Sequence, residues 1–174
     1  MPESFVTNQS ILRFEFPERG NRPPVILKWY EGGLQPENRP EWRMESLGGN
    51  GMVMVGSGTS VRTGGRPNDS RLVMPDEEWE AYWNNPPDPV IPRIPNESPH
   101  HEWLDAIKGN GPMPGSDFNY ASRLTEMALV GVLAQRFDKR IEFDAENMKI
   151  TNHPELNQYV KEPVRPGWEY GEDL

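Results

Sequence analysis

Few residues of this chain have the types and the spacing that chemistry needs. His100-His101-Glu102 brings two imidazoles and a carboxylate together in sequence. Adjacent helical positions point about 100° apart, and the spacing is not the i, i+4 of a helical zinc motif. The pair therefore reads as an exposed first helical turn, and no metal site is expected. His153 follows a helix start and has a local structural role. Gly56-x-Gly58 suggests a phosphate loop, but it lacks a third glycine at the required spacing, and strand-like sequence follows it rather than a helix. A hairpin turn is the better reading. Glu126 lies inside a long helical pattern beside apolar residues. A carboxylate there must be paired or protonated. Arg123, three residues earlier, is its natural partner, and an acid in a cleft is the functional alternative. Carboxylates are plentiful, yet no pair stands out as a glycosidase dyad, and no Ser-His-Asp arrangement can be assembled. The six tryptophans offer stacking surfaces. Trp29 and Trp103 sit in strong structural patterns and read as core. Trp42, Trp79 and Trp83 lie in loop-rich stretches and are the better candidates for a binding surface.

Composition narrows the classes further. The chain has 174 residues, a net charge of −9, 34% hydrophobic residues, 19 Pro, 16 Gly and no Cys. Its length suits one domain spanning 1–174. The acidic balance excludes the basic face that nucleic acid requires and gives no attraction to an anionic membrane surface. No run reaches the roughly 18 apolar residues of a spanning helix, and the start Met1-Pro2-Glu3-Ser4 does not resemble a signal peptide. Without Cys there are no disulfides, thiolate metal sites or cysteine nucleophiles. A cytoplasmic location is the expectation.

The elements that would position these residues follow from periodicity. Residues 119–144 hold the one long helical pattern, followed by a tight turn and a strand, with stripes Ala121, Leu124, Ala128, Val132 and Met127, Val130, Gly131, Ala134, and with Arg136, Lys139 and Arg140 at the helix's C-terminal end. So wide an apolar circumference predicts burial on more than one side. Gly131 costs about 1 kcal/mol against Ala in a helix and marks a close backbone approach. Alternation predicts strands at 11–16 and 25–30, a hairpin from 51–55 and 59–63 across the Gly56-Ser57-Gly58 turn, and short strands at 71–74, 141–143 and 148–150. Asp76 is placed as the N-cap of a helix reaching Asn84. Ser98-Pro99 opens another, with Trp103, Leu104 and Ile107 as its stripe and Gly109 just past its end. Residues 85–99 are a Pro-rich connection, and 169–174 a disordered acidic tail. Strands in a run followed by helices predict an α+β fold, a mainly antiparallel open sheet with helices packed on one face.

Several stretches, in the same order, resemble the C-terminal half of the Gfo/Idh/MocA family of NAD(P)-dependent sugar oxidoreductases, most closely its planctomycete and bacteroidete type. They are Pro24-Val25-Ile26-Leu27-Lys28-Trp29-Tyr30-Glu31-Gly32-Gly33, the hairpin 51–58 leading to Leu72-Val73-Met74-Pro75, His101-Glu102-Trp103-Leu104-Asp105-Ala106-Ile107-Lys108-Gly109, Ser116-Asp117-Phe118-Asn119-Tyr120-Ala121 with Leu124-Thr125-Glu126, Ile141-Glu142-Phe143-Asp144, and Arg165-Pro166-Gly167-Trp168. The family's GxGxxG turn, its Glu-Lys-Pro motif with the catalytic lysine, and its Gly-x-His-x-x-Asp type motif do not occur in these residues. The resemblance therefore implies a truncated gene product. It would be the substrate and oligomerisation domain of a sugar or polyol dehydrogenase, without its dinucleotide-binding domain and inactive alone. NAD(P) is implied only for the full-length parent. No catalytic and no cofactor-binding residue is assigned within the chain. Substrate-cleft candidates are Tyr30 and Glu31, which end a strand at a Gly-Gly break, and Arg165 and Trp168, which could fold over the same rim. Strand-end packing and tail docking are the plain alternative for all four. A homo-oligomer through the sheet face or edge is expected. The competing class is a stand-alone carbohydrate-binding or protein-interaction module that uses exposed Trp and Tyr.

Overall fold

The computed structural model describes residues 7–65, 69–91, 93–94, 97–161 and 164–168. In chain order the elements are β1 (Ser10–Phe16), β2 (Val25–Glu31), a 3-10 turn (Pro40–Trp42), β3 (Gly51–Val55), β4 (Ser60–Gly64), β5 (Arg71–Leu72), α1 (Asp76–Asn84), α2 (Pro99–Ile107), α3 (Phe118–Phe137), β6 (Phe143–Asp144), β7 (Lys149–Ile150) and a 3-10 turn (Pro154–Tyr159). The fold is α+β. Its strands form three small sheets, β1-β2, β3-β4-β5 and β6-β7. The chain divides into two compact units, residues 1–29 with 115–174, and residues 30–114. The expected tail at 169–174 lies outside the described residues.

The first unit is built on α3 against β1. Alternation half-buries Leu12 and Phe14 while Ile11, Arg13 and Glu15 stay exposed. β1 and β2 are joined by residues 17–24, too short for a parallel crossover, and Arg19 and Arg22 close the connection with an antiparallel bridge. A Cβ added at Gly131 would stand 2.6 Å from Phe14 Cζ and 3.3 Å from Leu12 Cδ1. The glycine therefore marks a close approach of helix and strand, as its place in the pattern predicts. Gln135 Nε2 donates to Ser10 Oγ at 2.9 Å and fixes the strand's start to the helix's last turns.

Asp117 caps α3, its carboxylate accepting from Tyr120 N at 3.0 Å. Asp138 ends the helix in the left-handed region at φ 49°, a conformation that Asp adopts more readily than most side chains. The prediction of burial on two sides fails here. The Met127, Val130, Gly131 stripe is covered, while Leu124, Leu129 and Val132 are exposed. A two-stranded ribbon can cover only one face of a helix.

Beyond α3 the chain is pinned by side chain to backbone bonds. Asn157 Oδ1 accepts from Ile150 N at 2.8 Å, and Asn157 Nδ2 donates to Ile150 O at 2.9 Å. Ile150 is 0% exposed and Leu156 is buried beside this clamp. Arg136 lies 4.8 Å over the Tyr159 ring, whose centroid is 5.0 Å from that of Phe137. The predicted strand at 141–143 shortens to β6. Ahead of it, Glu142 donates its N–H to Asn152 Oδ1 and accepts from Thr151 N, at 2.9 Å each.

In the second unit β3 and β4 pair antiparallel from Gly51–Gly64 to Val55–Ser60, and β5 joins through Val61–Leu72. Gly56 N donates to Thr59 O across the predicted hairpin turn. Arg62 Nη1 donates to Arg43 O at 2.9 Å, which ties the 34–50 excursion to β4. Three tryptophans differ from expectation. Trp42 is buried, whereas Trp29 and Trp103 are exposed. Trp42 is carried inward by the turn that Pro40 opens, with Arg39 5.6 Å over its ring. Among the described residues nothing covers Trp29 on β2 or Trp103 on α2. Helix α2 begins as predicted, Ser98 Oγ accepting from His101 N, and Gly109 follows its end at φ 72°. Helix α1 starts one residue earlier than predicted. Pro75 is its N-cap and Asp76 its first helical residue, because the Asp76 carboxylate is taken by Arg71.

Candidate functional site

Each predicted cleft residue has a definite place. Tyr30, half-buried, and Glu31, exposed, end β2. Gly32 and Gly33 follow at φ 71° and 83°, a left-handed pair that only glycine adopts freely. The strand therefore stops where the sequence says it should. Arg165 and Trp168 close a turn of their own, Trp168 N donating to Arg165 O at 3.0 Å with Gly167 at φ 84°. The Arg165 guanidinium lies 4.6 Å over the Trp168 ring. The structure thus joins Arg165 to Trp168 as a cation–π pair. Tyr30 and Glu31 belong to the other unit.

The remaining candidates resolve in favour of structure. Arg123 Nη1 sits 3.4 Å from Glu126 Oε2, and the same guanidinium donates to Ala145 O at 3.3 Å. Glu126 is thus a paired carboxylate, and its partner Arg123 ties α3 to the β6–β7 connection. His153 Nδ1 lies 3.4 Å from Glu155 Oε1. Among the described residues no group of three or more His, Asp or Glu could hold a metal ion, and no helix is long and apolar enough to cross a membrane. An open groove lies at the mouth of the β1–β2 ribbon, between Arg13, Glu15 and Phe16 on one strand and Val25 and Ile26 on the other. It is shallow and gathers no set of converging polar groups. Three carboxyls are held below their ordinary range, and each sits in a turn or cap rather than a cleft. Asp69 is lowered by the Thr63 hydroxyl and then the Gly64 N–H. Asp144 is lowered first by the Asn147 side chain. Glu155 is lowered first by its own backbone N–H, with Lys139 adding to the effect.

One cluster exceeds what the sequence reading proposed. Trp79 and Trp83 were expected to form a binding surface, and α1 adds Tyr82 and, from β5, Arg71. The Trp79 ring is 5.7 Å from Tyr82, stacked, and 5.6 Å from Trp83, tilted by 34°. Arg71 lies 5.4 Å over Trp79 and pairs with Asp76. The signal was present as the i, i+3, i+4 spacing of 79, 82 and 83, which puts all three rings on one helix face. Arg71 could be found only once the β4–β5 pairing was known.

No family model, curated protein or solved structure matches the chain.

Proposed function

We propose that this chain is the substrate-binding and oligomerisation domain of an NAD(P)-dependent sugar or polyol oxidoreductase of the Gfo/Idh/MocA type, inactive without a dinucleotide-binding domain. The observation that carries the reading is that the stretches resembling this family fall on the points that define local geometry. Tyr30-Glu31-Gly32-Gly33 is a strand end with a left-handed pair. The stretch 101–109 is α2 with its terminating glycine. The stretch 116–121 holds the Asp117 cap of α3. Arg165-Pro166-Gly167-Trp168 is a closed turn with its own cation–π contact. Caps, turns and strand ends are positions where the backbone tolerates few residue types, so agreement there weighs more than agreement among surface residues.

The exposed apolar residues support the oligomerisation half of the proposal. Ile11, Val25, Ile26 and Trp29 on the β1–β2 ribbon are all more than half exposed, with Val25 and Trp29 on one face of β2 and Ile26 on the other, and large exposed apolar surface marks a site of association. A second copy meeting the sheet face or edge would cover it. In this reading Tyr30 and Glu31 in one unit, and Arg165 and Trp168 in the other, are each candidates for substrate contact, Glu31 accepting hydroxyl hydrogen bonds and Trp168 stacking on a sugar ring. NAD(P) would be bound by the dinucleotide-binding domain of the proposed parent enzyme.

The test has two arms. The reading frame that encodes this chain should continue upstream into a βαβ segment with a GxGxxG turn, and that longer polypeptide should oxidise a sugar or polyol with NAD(P). The 174-residue chain alone should transfer no hydride from NADH or NADPH. Turnover by the isolated chain, or an upstream frame without a dinucleotide-binding segment, would overturn the proposal. Sedimentation of the chain should show a dimer or larger species, and a monomer at every concentration would remove the oligomerisation role. A second reading, a stand-alone carbohydrate-binding or interaction module, draws on the exposed aromatic face of α1 and predicts measurable sugar binding by the isolated chain.

A further inference from the structure

Helix α1 already holds one arginine. The Arg71 guanidinium lies 5.4 Å over the Trp79 indole, and the Asp76 carboxylate pairs with it. The recognition unit is a carboxylate and, three residues on, an indole, which places both on one side of the helix. The same unit recurs one turn further along as Glu80 and Trp83. Trp83 is 66% exposed, and its ring continues the Trp79 platform at 5.6 Å. Among the described residues no cation lies over Trp83 or pairs with Glu80. The neighbourhood is anionic. Asp76, Glu77, Glu78, Glu80 and Asp88 fall between Arg71 and Arg93, with no Lys, Arg or His among them. A cation approaching this face is attracted by the summed field, and the second unit offers it the contact that Arg71 makes in the first.

We propose that the Glu80–Trp83 face of α1 is a docking site for an arginine side chain on a basic segment of a partner protein. Arginine fits better than lysine, because its planar guanidinium can stack on the indole while its fork pairs with a carboxylate. A peptide fits better than a free amino acid. An exposed cation–π contact and an exposed ion pair each give only a few-fold in affinity, so useful binding needs neighbouring cations for Glu77, Glu78 and Asp88. The site includes none of the cleft candidates Tyr30, Glu31, Arg165 and Trp168, and it does not depend on the dehydrogenase reading.

The test follows the tryptophan indole N–H resonances of the whole 15N-labelled chain. A nona-arginine peptide is titrated in, with nona-lysine, N-acetyl-arginine amide and a neutral cello-oligosaccharide as parallel probes. Nona-arginine should shift the Trp83 indole, and nona-lysine should bind more weakly. Trp83→Ala should weaken Kd about 2- to 5-fold, and Glu80→Gln by up to about 5-fold. Trp83 and Glu80 are both exposed, so the variants should keep the helical circular dichroism of the parent. Glu18→Gln, the same loss of charge in the other unit, should leave Kd unchanged.

The proposal is overturned if the Trp83 indole does not move or if Glu18→Gln weakens binding as much as Glu80→Gln, which would mark a non-specific charge effect. Nona-lysine binding as tightly as nona-arginine would remove the arginine specificity. Equal affinity for N-acetyl-arginine amide and the peptide would point to a free guanidinium ligand. A response at Trp83 to the oligosaccharide alone would make the platform a sugar site.

Discussion

Gly131 offers the sharpest test of how the first unit is held together, because two effects of known sign oppose each other there. Replacing it with Ala removes the conformational penalty of glycine in a helix interior, a gain of about 1 kcal/mol. The new Cβ, however, would stand 2.6 Å from Phe14 Cζ, 3.0 Å from Cε1 and 3.3 Å from Leu12 Cδ1. Carbon atoms pack comfortably at about 3.5–4.0 Å, so α3 and β1 must separate by close to 1 Å or the Phe14 ring must turn. Added methyl groups at tight contacts cost about 1–3 kcal/mol. Gly131→Ala should therefore be neutral to destabilising by about 2 kcal/mol, the difference of those two terms.

The decisive variant is the double one. In Phe14→Leu the ring atoms that meet the new Cβ are gone and only Leu12 Cδ1 at 3.3 Å must give way, so Gly131→Ala in that background should stabilise by up to about 1 kcal/mol. The sign of one substitution reverses with its neighbour, and the coupling between the two positions is about 1–3 kcal/mol. Urea unfolding followed by circular dichroism at 222 nm measures all four corners of the cycle, provided the slope with urea is constant among them. If Gly131→Ala stabilises by the same amount in both backgrounds, α3 and β1 do not approach through this residue and the packing described above is wrong.

Other expectations follow from single contacts. Asn157→Ala leaves both backbone groups of Ile150 without their side-chain partner and should cost about 1–3 kcal/mol. Faster hydrogen exchange at the Ile150 amide, with the Gly56 amide unchanged, would show the effect to be local. Ile150→Ala, at a fully buried position, should cost about 2–5 kcal/mol by the same unfolding assay. The Asp144 carboxyl should titrate below the ordinary Asp value of about 3.9. Because folding lowers its pKa, the ionised form favours the folded hairpin. That stability is present above the unfolded value and is lost as pH falls through the lower folded one. Carboxyl 13C shifts across an acid titration measure it, and Asn147→Ala, which removes the largest cause of the shift, should move the midpoint upward. Thr63→Val should raise the midpoint of Asp69 for the same reason.

What the sequence revealed, and what it hid, divides by the range of the interaction involved. Local chemistry was legible. Ser98-Pro99 as cap and first helical residue, Gly109 beyond the end of α2, the Gly56 turn and the strands around it depend on backbone preferences of a few neighbouring residues, and these survive any packing. The role of Gly131 was legible for a related reason. A poor helix former in the middle of a strong helix pattern implies a close neighbour, although only the fold could name Phe14. Burial of the tryptophans was not legible. Trp29 and Trp103 stand in regular patterns that ordinarily face a core, yet regularity says only which face of an element is apolar, not whether another element covers it. Trp42 stands in irregular sequence, and a proline-opened turn carries it inside.

The same distinction bears on function. Every cap and turn in the stretches that resemble the oxidoreductase family is formed, so the local rules are met within the chain itself. Among the described residues Ile11, Val25 and Trp29 on β1–β2 and Leu124, Leu129 and Val132 on α3 are left open. Under the proposed function this is the expected division. The local structure of such a domain would be set by its own residues, whereas its open apolar faces would be completed only when a second copy meets them.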